Sequence, residues 1–270
     1  MTDWPEKASR LMSKVREKTP MVHHMTNDVV TNLTANVTLC LGAAPVMAPC
    51  EREVEEMVAV ASALLLNIGT LDDQLVQSML IAGRKANEVG VPVILDPVGA
   101  GATTLRTEAA KKILDQVKVT VLRGNAGETL TLAGEGGKVR GVDSLQDIGE
   151  LDYAVASFAK ERELIAAVTG PVDIVCDGTV KIKVKNGHEL LGRVTGTGCS
   201  ATTAVAAFVG ASPDEPLQAA ACSLAVFGVA AEQAAGEVAG PGTFVPKLLD
   251  WLANIDDYTI RRRVRIEEDE

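Results

Sequence analysis

Apolar positions along this chain fall into short unbroken runs that alternate with longer segments where they recur every three or four residues. Runs of the first kind lie at 43–48, 63–68, 91–96, 119–122 and 164–170. Continuous apolar runs of this length predict strands buried on both faces. Helical spacing covers 8–18, 29–41, 51–61, 72–88, 104–115, 151–162, 201–209, 216–236 and 242–255. The boundary signals agree with this division. Thr19-Pro20 closes the first helix, Asn27 or Asp28 caps the second with Gly42 as its stop, and Thr70 or Asp72 caps the fourth with Gly90 as its stop. Strand, helix, strand in this rhythm predicts right-handed βαβ units and a parallel sheet. Segments 173–178 and 180–184 predict a hairpin turning at Asp177-Gly178, so the sheet is expected to be antiparallel at that edge. Residues 21–28 read as a polar loop, 190–194 as a strand-like lead-in, 258–266 as a solvated edge strand and 267–270 as a frayed acidic tail. The insertion at 134–149 is Gly-rich and charged, and no chemistry is assigned to it. No repeat or low-complexity linker interrupts the pattern, so 1–270 reads as one α/β domain.

Composition narrows the picture. Apolar residues make up 47% of the chain and aromatics only 3%, which calls for a core of Ala, Val, Leu and Ile in helices packed closely on a sheet. A net charge of −10 argues against nucleic acid or an anionic membrane as partner. It leaves ATP open, because magnesium and a local anion site would offset the phosphate charge. Cys40, Cys50, Cys176, Cys199 and Cys222 form no C-x-x-C pair and are odd in number, as expected of reduced thiols in the cytoplasm. Neither a signal segment nor an apolar run of membrane-spanning length is read, so a soluble protein is expected. His23 and His24 are adjacent on an extended segment and point to opposite sides, a poor arrangement for zinc.

The candidate chemistry centres on Val194-Thr195-Gly196-Thr197-Gly198-Cys199-Ser200. Two glycines remove Cβ atoms where a backbone meets a ligand, and the helix start that follows offers unpaired N–H groups to an anion, phosphate above all. Cys199 sits at the mouth of this turn, where a helix N-terminus would lower its pKa. The plain alternative is a tight turn with a buried cysteine. Asp96-Pro97-Val98-Gly99-Ala100-Gly101 ends another run at the edge where open α/β sheets bind ligands. It has neither the Gly-Lys-Ser/Thr of a phosphate loop nor the G-x-G-x-x-G of a dinucleotide site. Arg123, Asn125 and Glu128 suit phosphate and a hydrated metal ion, although Asn125 and Glu128 equally form a helix capping box, and both roles can hold together. Thr169 is the polar end of a further run, and Met47 lies in a short apolar strand where methionine is commonly core filling.

Taken in order, Val22-His23 through Asn27, Pro45-Val46-Met47, Asp96 to Gly101, Arg123-Gly124-Asn125, Val168-Thr169-Gly170 and Thr195 to Cys199 closely resemble the hydroxyethylthiazole kinases of the ribokinase-like superfamily, over roughly residues 20–245. Cys199, where most ribokinase-like enzymes carry Asp, is itself characteristic of the thiazole kinases. The resemblance implies a three-layer α/β/α sandwich with a mostly parallel central sheet. It implies ATP- and Mg2+-dependent phosphorylation of the primary hydroxyl of 5-(2-hydroxyethyl)-4-methylthiazole, the thiazole salvage step of thiamine biosynthesis. It also implies a homotrimer with active sites at subunit interfaces. Carried over by position, Asn27 and Met47 would touch the thiazole with the Gly196 backbone nearby, while Arg123 and Thr169 would contact nucleotide. Asp96 and Glu128 would organise magnesium through water. The N–H groups of Gly196, Thr197, Gly198 and Cys199 would hold the phosphoryl group, and Cys199 would orient or deprotonate the hydroxyl. Asp28 and His24 depart from the family pattern, and His24 is given no role. A hydroxymethylpyrimidine or other small-alcohol kinase, an ATP-dependent hydrate dehydratase and an inactive binding protein on the same scaffold are the other readings. Cys199 with Asn27 and Met47 favours thiazole, and the joint presence of Asp96, Arg123, Glu128 and Cys199 argues against inactivity.

Overall fold

A computed structural model describes residues 2–134 and 148–269. Most of the 134–149 insertion thus lies outside the described residues. Nine strands form one sheet among the described residues: β1 (Met21–Met25), β2 (Ala44–Met47), β3 (Ala63–Asn67), β4 (Val93–Asp96), β5 (Val121–Asn125), β6 (Ile165–Thr169), β7 (Asp173–Cys176), β8 (Lys181–Val184) and β9 (Ile266–Asp269). Their order is β2-β1-β3-β4-β5-β6-β7-β8-β9. Pairings from β2 through β6 are parallel and the last three are antiparallel. Apolar cores cover both faces of the sheet, and the expected three-layer α/β/α sandwich with an antiparallel edge is what the chain forms.

One face carries α1 (Trp4–Lys18), α2 (Thr31–Cys40), α8 (Thr197–Ala211), α9 (Pro216–Ala235), α10 (Pro241–Asn254) and α11 (Asp257–Arg263). The other carries α3 (Val54–Val60), α4 (Asp73–Val89), α5 (Thr104–Gln116), α6 (Ala126–Leu132) and α7 (Ile148–Arg162). After β1 the chain passes through α2 to β2 on one side, then returns through α3 to β3 on the other. That reversal opens a crevice at the carboxyl ends of β1 and β3, where open sheets of this kind place ligands. Helices α8 and α9, rich in Ala, pack against each other with 12 of 15 and 15 of 20 residues buried. By length and composition α9 could cross a membrane, contrary to the expectation that no run approaches that length; here 83% of its apolar window is buried inside the fold.

Four further expectations are corrected. Residues 21–25 are a buried strand rather than a loop, because His23 and His24 satisfy one ring nitrogen each, on Ala48 O at 2.8 Å and Thr38 Oγ1 at 3.0 Å. Neither Asn27 nor Asp28 caps α2; its N-cap is Val30 without a side-chain bond, since the Asn27 amide is turned into the crevice. Residues 189–193 form a 3₁₀ turn rather than a strand. The Arg261-Arg262-Arg263 run lies on α11, capped by Asp256, and the edge strand is the acidic tail itself. Lys181 and Lys183 on β8 pair with Asp269 at 3.0 and 2.6 Å, and Lys185 pairs with Glu267 at 2.5 Å. Alternating acids that look frayed alone thus find lysines on a neighbouring strand.

Candidate active site

Because β1, β3, β4, β5 and β6 run parallel, their carboxyl ends deliver Asn27, Asn67, Asp96, Arg123 and Thr169 to one rim. Helix α8 points its N-terminus at the same place. Its N-cap is Gly196, at φ +87°, where a Cβ would meet Val30 Cγ1 at 2.9 Å. Such a φ is costly for other residues. The first intrahelical bond runs from Ser200 N–H to Gly196 O at 2.8 Å, so the N–H groups of Thr197, Gly198 and Cys199 have no acceptor within the helix. Thr197 Oγ1 donates to Leu191 O at 2.5 Å and fastens the turn. A Cβ on Gly198 would lie 3.0 Å from Arg123 Nη1; the glycine lets the guanidinium lie along the helix start.

Cys199, half-buried, faces a cluster of buried amides and one carboxylate. Asn67 Nδ2 donates to Cys199 Sγ at 3.2 Å and to Asp96 Oδ2 at 2.7 Å. Asn27 Nδ2 donates to Asn67 Oδ1 at 2.8 Å and lies 3.7 Å from Cys199 Sγ. Asp96 Oδ2 accepts a second bond from Thr202 Oγ1 at 2.8 Å, while Oδ1 lies 4.0 Å from Arg123 Nη1. Burial pushes the Asp96 carboxyl up to about 6, against the opposing pull of Arg123. It also pushes the Cys199 thiol up to about 11, with the Asp96 charge adding to the rise. The expectation of a thiol partly ionised at the helix N-terminus is therefore corrected: desolvation and the neighbouring carboxylate favour the neutral thiol.

Glu128 accepts from Gly99 N–H at 2.8 Å through Oε1 and from Asn125 N–H at 2.9 Å through Oε2. Asn125 Oδ1 accepts from Glu128 N–H in return, so the capping box is formed and holds the carboxylate toward the cleft at once. Arg123 Nη2 donates to Thr169 Oγ1 at 2.5 Å. Among the described residues no group of three or more His, Cys, Asp or Glu gathers as a metal cluster.

Two cavities meet at Arg123 and Gly198. The smaller, about 340 Å³, is lined by Asn27, Asp96, Glu128, Gly196 and Cys199 among others. The larger, about 610 Å³, holds Thr169, Thr197, His188, Leu224, Phe227 and Gly228. Asn27, Gly196, Asp96, Glu128 and Cys199 thus come together as expected, with Arg123 and Gly198 shared and Thr169 and Thr197 on the far side. Met47 lines neither cavity; it ends the edge strand β2, opposite His24 in the register.

Sequence reasoning missed several residues. Asn67 is the one polar residue in the apolar run 63–68 and ends β3 opposite Asp96 at the end of β4, and that signal was available. Thr202, inside an Ala-rich helix, carried none. Arg106 on α5 donates to Val98 O at 2.9 Å, Ile68 O at 3.1 Å and Gly69 O at 2.9 Å, pinning the loops after β3 and β4. Asp173, raised to about 6 by burial, also lines the larger cavity.

The Hydroxyethylthiazole kinase family model matches residues 12–257. A hydroxyethylthiazole kinase of Desulfosudis oleivorans is 50% identical over 268 residues, covering 98% of this chain and 97% of that protein. The structure of a hydroxyethylthiazole kinase from Pyrococcus horikoshii OT3 superposes with a TM-score of 0.90 at 46% identity, over 97% of this chain and 99% of the other. A ribokinase-like superfamily protein from Enterococcus faecalis, 13% identical, superposes with a TM-score of 0.59 over 94% of this chain and 83% of the other, a likeness of fold alone.

Proposed function

From the fact that the chain belongs to the hydroxyethylthiazole kinase family, and so is a kinase that phosphorylates a hydroxyethylthiazole, we propose that the Cys199 cleft receives the thiazole alcohol and the larger cavity receives ATP. The observation that carries this division is the meeting of the two cavities at Arg123 and Gly198, beside the open N–H groups of α8. Adenine would lie between Phe227, Leu224 and the 186–189 segment, with the phosphates running past Thr169 and Arg123 to the helix start. The substrate is 5-(2-hydroxyethyl)-4-methylthiazole, held by Asn27 and the Gly196 backbone, in the thiazole salvage step of thiamine biosynthesis.

In the transfer, the alcohol oxygen bonds to the γ-phosphorus while the bond from that phosphorus to the β–γ bridging oxygen breaks, and ADP leaves with the bridging oxygen. The charge spread over the three oxygens of the transferring group lies where the N–H groups of Thr197, Gly198 and Cys199 and the Arg123 guanidinium can meet it. With its thiol held at about 11, Cys199 is protonated in all but ~10⁻⁴ of molecules at neutral pH. Its part is therefore to aim the hydroxyl and, late in a loose transition state, to take the hydroxyl proton while passing its own S–H proton to an oxygen of the transferring phosphoryl group. The modest size of that contribution follows from the weak acidity of the alcohol.

Asp96 and Glu128 are the residues that would hold magnesium. Their hard oxygens suit the ion, and two carboxylates are enough for a cation that keeps several waters and takes phosphate oxygens as ligands. Each Glu128 oxygen accepts one backbone bond, which leaves a lone pair for a metal-bound water. When bound, magnesium supplies charge neutralisation for the phosphates.

Met47 lies outside the cleft of its own chain, and Val29 at the cleft rim is 64% exposed. Both accord with a homotrimer in which a second copy closes each thiazole pocket. A cytoplasmic enzyme accords with five free cysteines. The test is magnesium-dependent release of ADP from ATP with hydroxyethylthiazole, with hydroxymethylpyrimidine and with no alcohol. Release with thiazole alone and a product heavier by one phosphoryl group are expected; release with the pyrimidine instead would overturn the pocket assignment.

A further inference from the structure

Asn67 is fully buried at the carboxyl end of β3, and every polar atom of its amide is engaged. Its orientation is decided by the backbone. Gly69 N–H donates to Oδ1 at 3.0 Å, so that atom is the oxygen, and Nδ2 must face Asp96 and Cys199. Gly69 itself has no room for a side chain, since a Cβ there would lie 2.5 Å from Asn27 Nδ2. The two hydrogens of Nδ2 therefore go to Asp96 Oδ2 at 2.7 Å and Cys199 Sγ at 3.2 Å. Asn27 presents a further amide hydrogen to the same sulfur at 3.7 Å. With its lone pairs taken by amides, a neutral Cys199 has only the cleft side left for its S–H.

We propose that Asn67 is a positioning residue for the phosphoryl transfer: by donating to both Cys199 and Asp96 it fixes the sulfur against the cleft and turns the S–H, or the free lone pair of the thiolate, toward the alcohol. This rests on the reading that the alcohol is received beside Cys199. A merely structural amide would matter to the same degree whatever stood at 199. The bond from Asn67 to Asp96 is lost equally in both backgrounds, so the part of its effect that passes through the sulfur is the part that disappears once the sulfur is gone.

The experiment is a double-mutant cycle on the full chain, with Asn67→Asp and Asn67→Leu each made alone and combined with Cys199→Ala. Both replacements keep the approximate size of the side chain; Leu has no donor, and an Asp carboxyl beside Asp96 holds at most one proton, which the Asp96 carboxylate takes in place of the sulfur. With Cys199 present, kcat is expected to fall about 5- to 10-fold in each, no further than Cys199→Ala itself lowers it. With Cys199→Ala as background, either change is expected to lower kcat by less than about 2-fold. Thermal melting of the ligand-free variants identifies any that do not fold, and the folded one of the pair decides the outcome. Equal losses in the two backgrounds would overturn the positioning role and leave the Cys199 reading intact. If Cys199→Ala alone turned over as fast as the parent, the reading beneath it would fall instead.

Discussion

The 340 Å³ cleft and the 610 Å³ cavity share Arg123 and Gly198, yet they are assembled from different materials. Around the smaller, Asn27, Asn67, Asp96 and Thr202 are buried and joined by hydrogen bonds of 2.7–2.8 Å into one chain, from which Asn67 branches to Cys199 at 3.2 Å. The larger is walled by Leu224, Phe227 and Ala201 and by backbone at Gly187, Gly192 and Gly228. Its far wall is fixed from behind, where Glu232 accepts from Gly187 N–H at 2.9 Å and from Asn186 Nδ2 at 3.2 Å. On the proposed division, reactive geometry is set by buried polar groups that hold one another and cost stability, and adhesion to the planar adenine is left to apolar surface and shape. The lesson is that disturbing the first region should affect turnover, and disturbing the second should affect affinity for nucleotide.

The largest separation of function from stability is expected at Asp96. Asp96→Asn keeps an acceptor for Asn67 and Thr202 and removes the charge, so kcat should fall by about 10³-fold or more. Burial raises this carboxyl from an ordinary 3.8 to about 6, so between those values the folded chain binds the proton more tightly than the unfolded one. Its stabilising share is complete below about pH 4 and is lost as the pH rises through about 6. The Asn variant should therefore be more stable than the parent at pH 7, by ~1–3 kcal/mol. Between pH 4 and 6 its stability should also depend less on pH, Asp173 still contributing in the same direction. Chemical denaturation across that range checks it; a less stable variant at pH 7 would contradict the buried-charge account.

Gly228→Ala acts on the other region. The new Cβ would lie 2.6 Å from the Asn186 carbonyl carbon, so the 186–189 wall must move away from α9. A KM for ATP raised about 10-fold, a KM for thiazole within about 2-fold and a loss of ~1–3 kcal/mol of stability are expected. Equal shifts in both KM values would dissolve the distinction between the cavities. The smallest effect belongs to the cysteine: Cys199→Ala should retain measurable turnover, about 10-fold down. Cys199→Asp should match or exceed the parent, because a carboxylate ionised at neutral pH can take the hydroxyl proton directly, whereas a thiol held at about 11 is still protonated. Full turnover in the Ala variant together with an inactive Asp variant would remove the proton role.

The same contrast governs what could be read beforehand. Asp96, Arg123 and Thr169 end apolar runs, and a polar group closing a buried strand is visible in sequence because burial of the run fixes which end meets solvent or ligand. Asn67 obeyed that rule and was passed over. The parallel sheet and its antiparallel edge followed from periodicity and the Asp177-Gly178 turn. Leu224, Phe227 and Gly228 were illegible, since a cavity wall on α9 has the same i, i+3, i+4 spacing as its core face. Two errors came from competition between roles: Asn27 left α2 uncapped to join the site, and His23 and His24 read as part of a polar loop because their buried acceptors lie 25 and 14 residues further along the chain. The β9 tail was misread for the same reason, its lysine partners being more than eighty residues away.

The most direct test of the two-cavity account is a crystal structure of the protein with a non-hydrolysable ATP analogue, magnesium and hydroxyethylthiazole together. The account predicts adenine against Phe227 and Leu224, the γ-phosphate on the N–H groups of Thr197, Gly198 and Cys199, and the thiazole hydroxyl within hydrogen-bonding reach of Cys199 Sγ. Thiazole bound in the larger cavity, or a γ-phosphate remote from the start of α8, would contradict it.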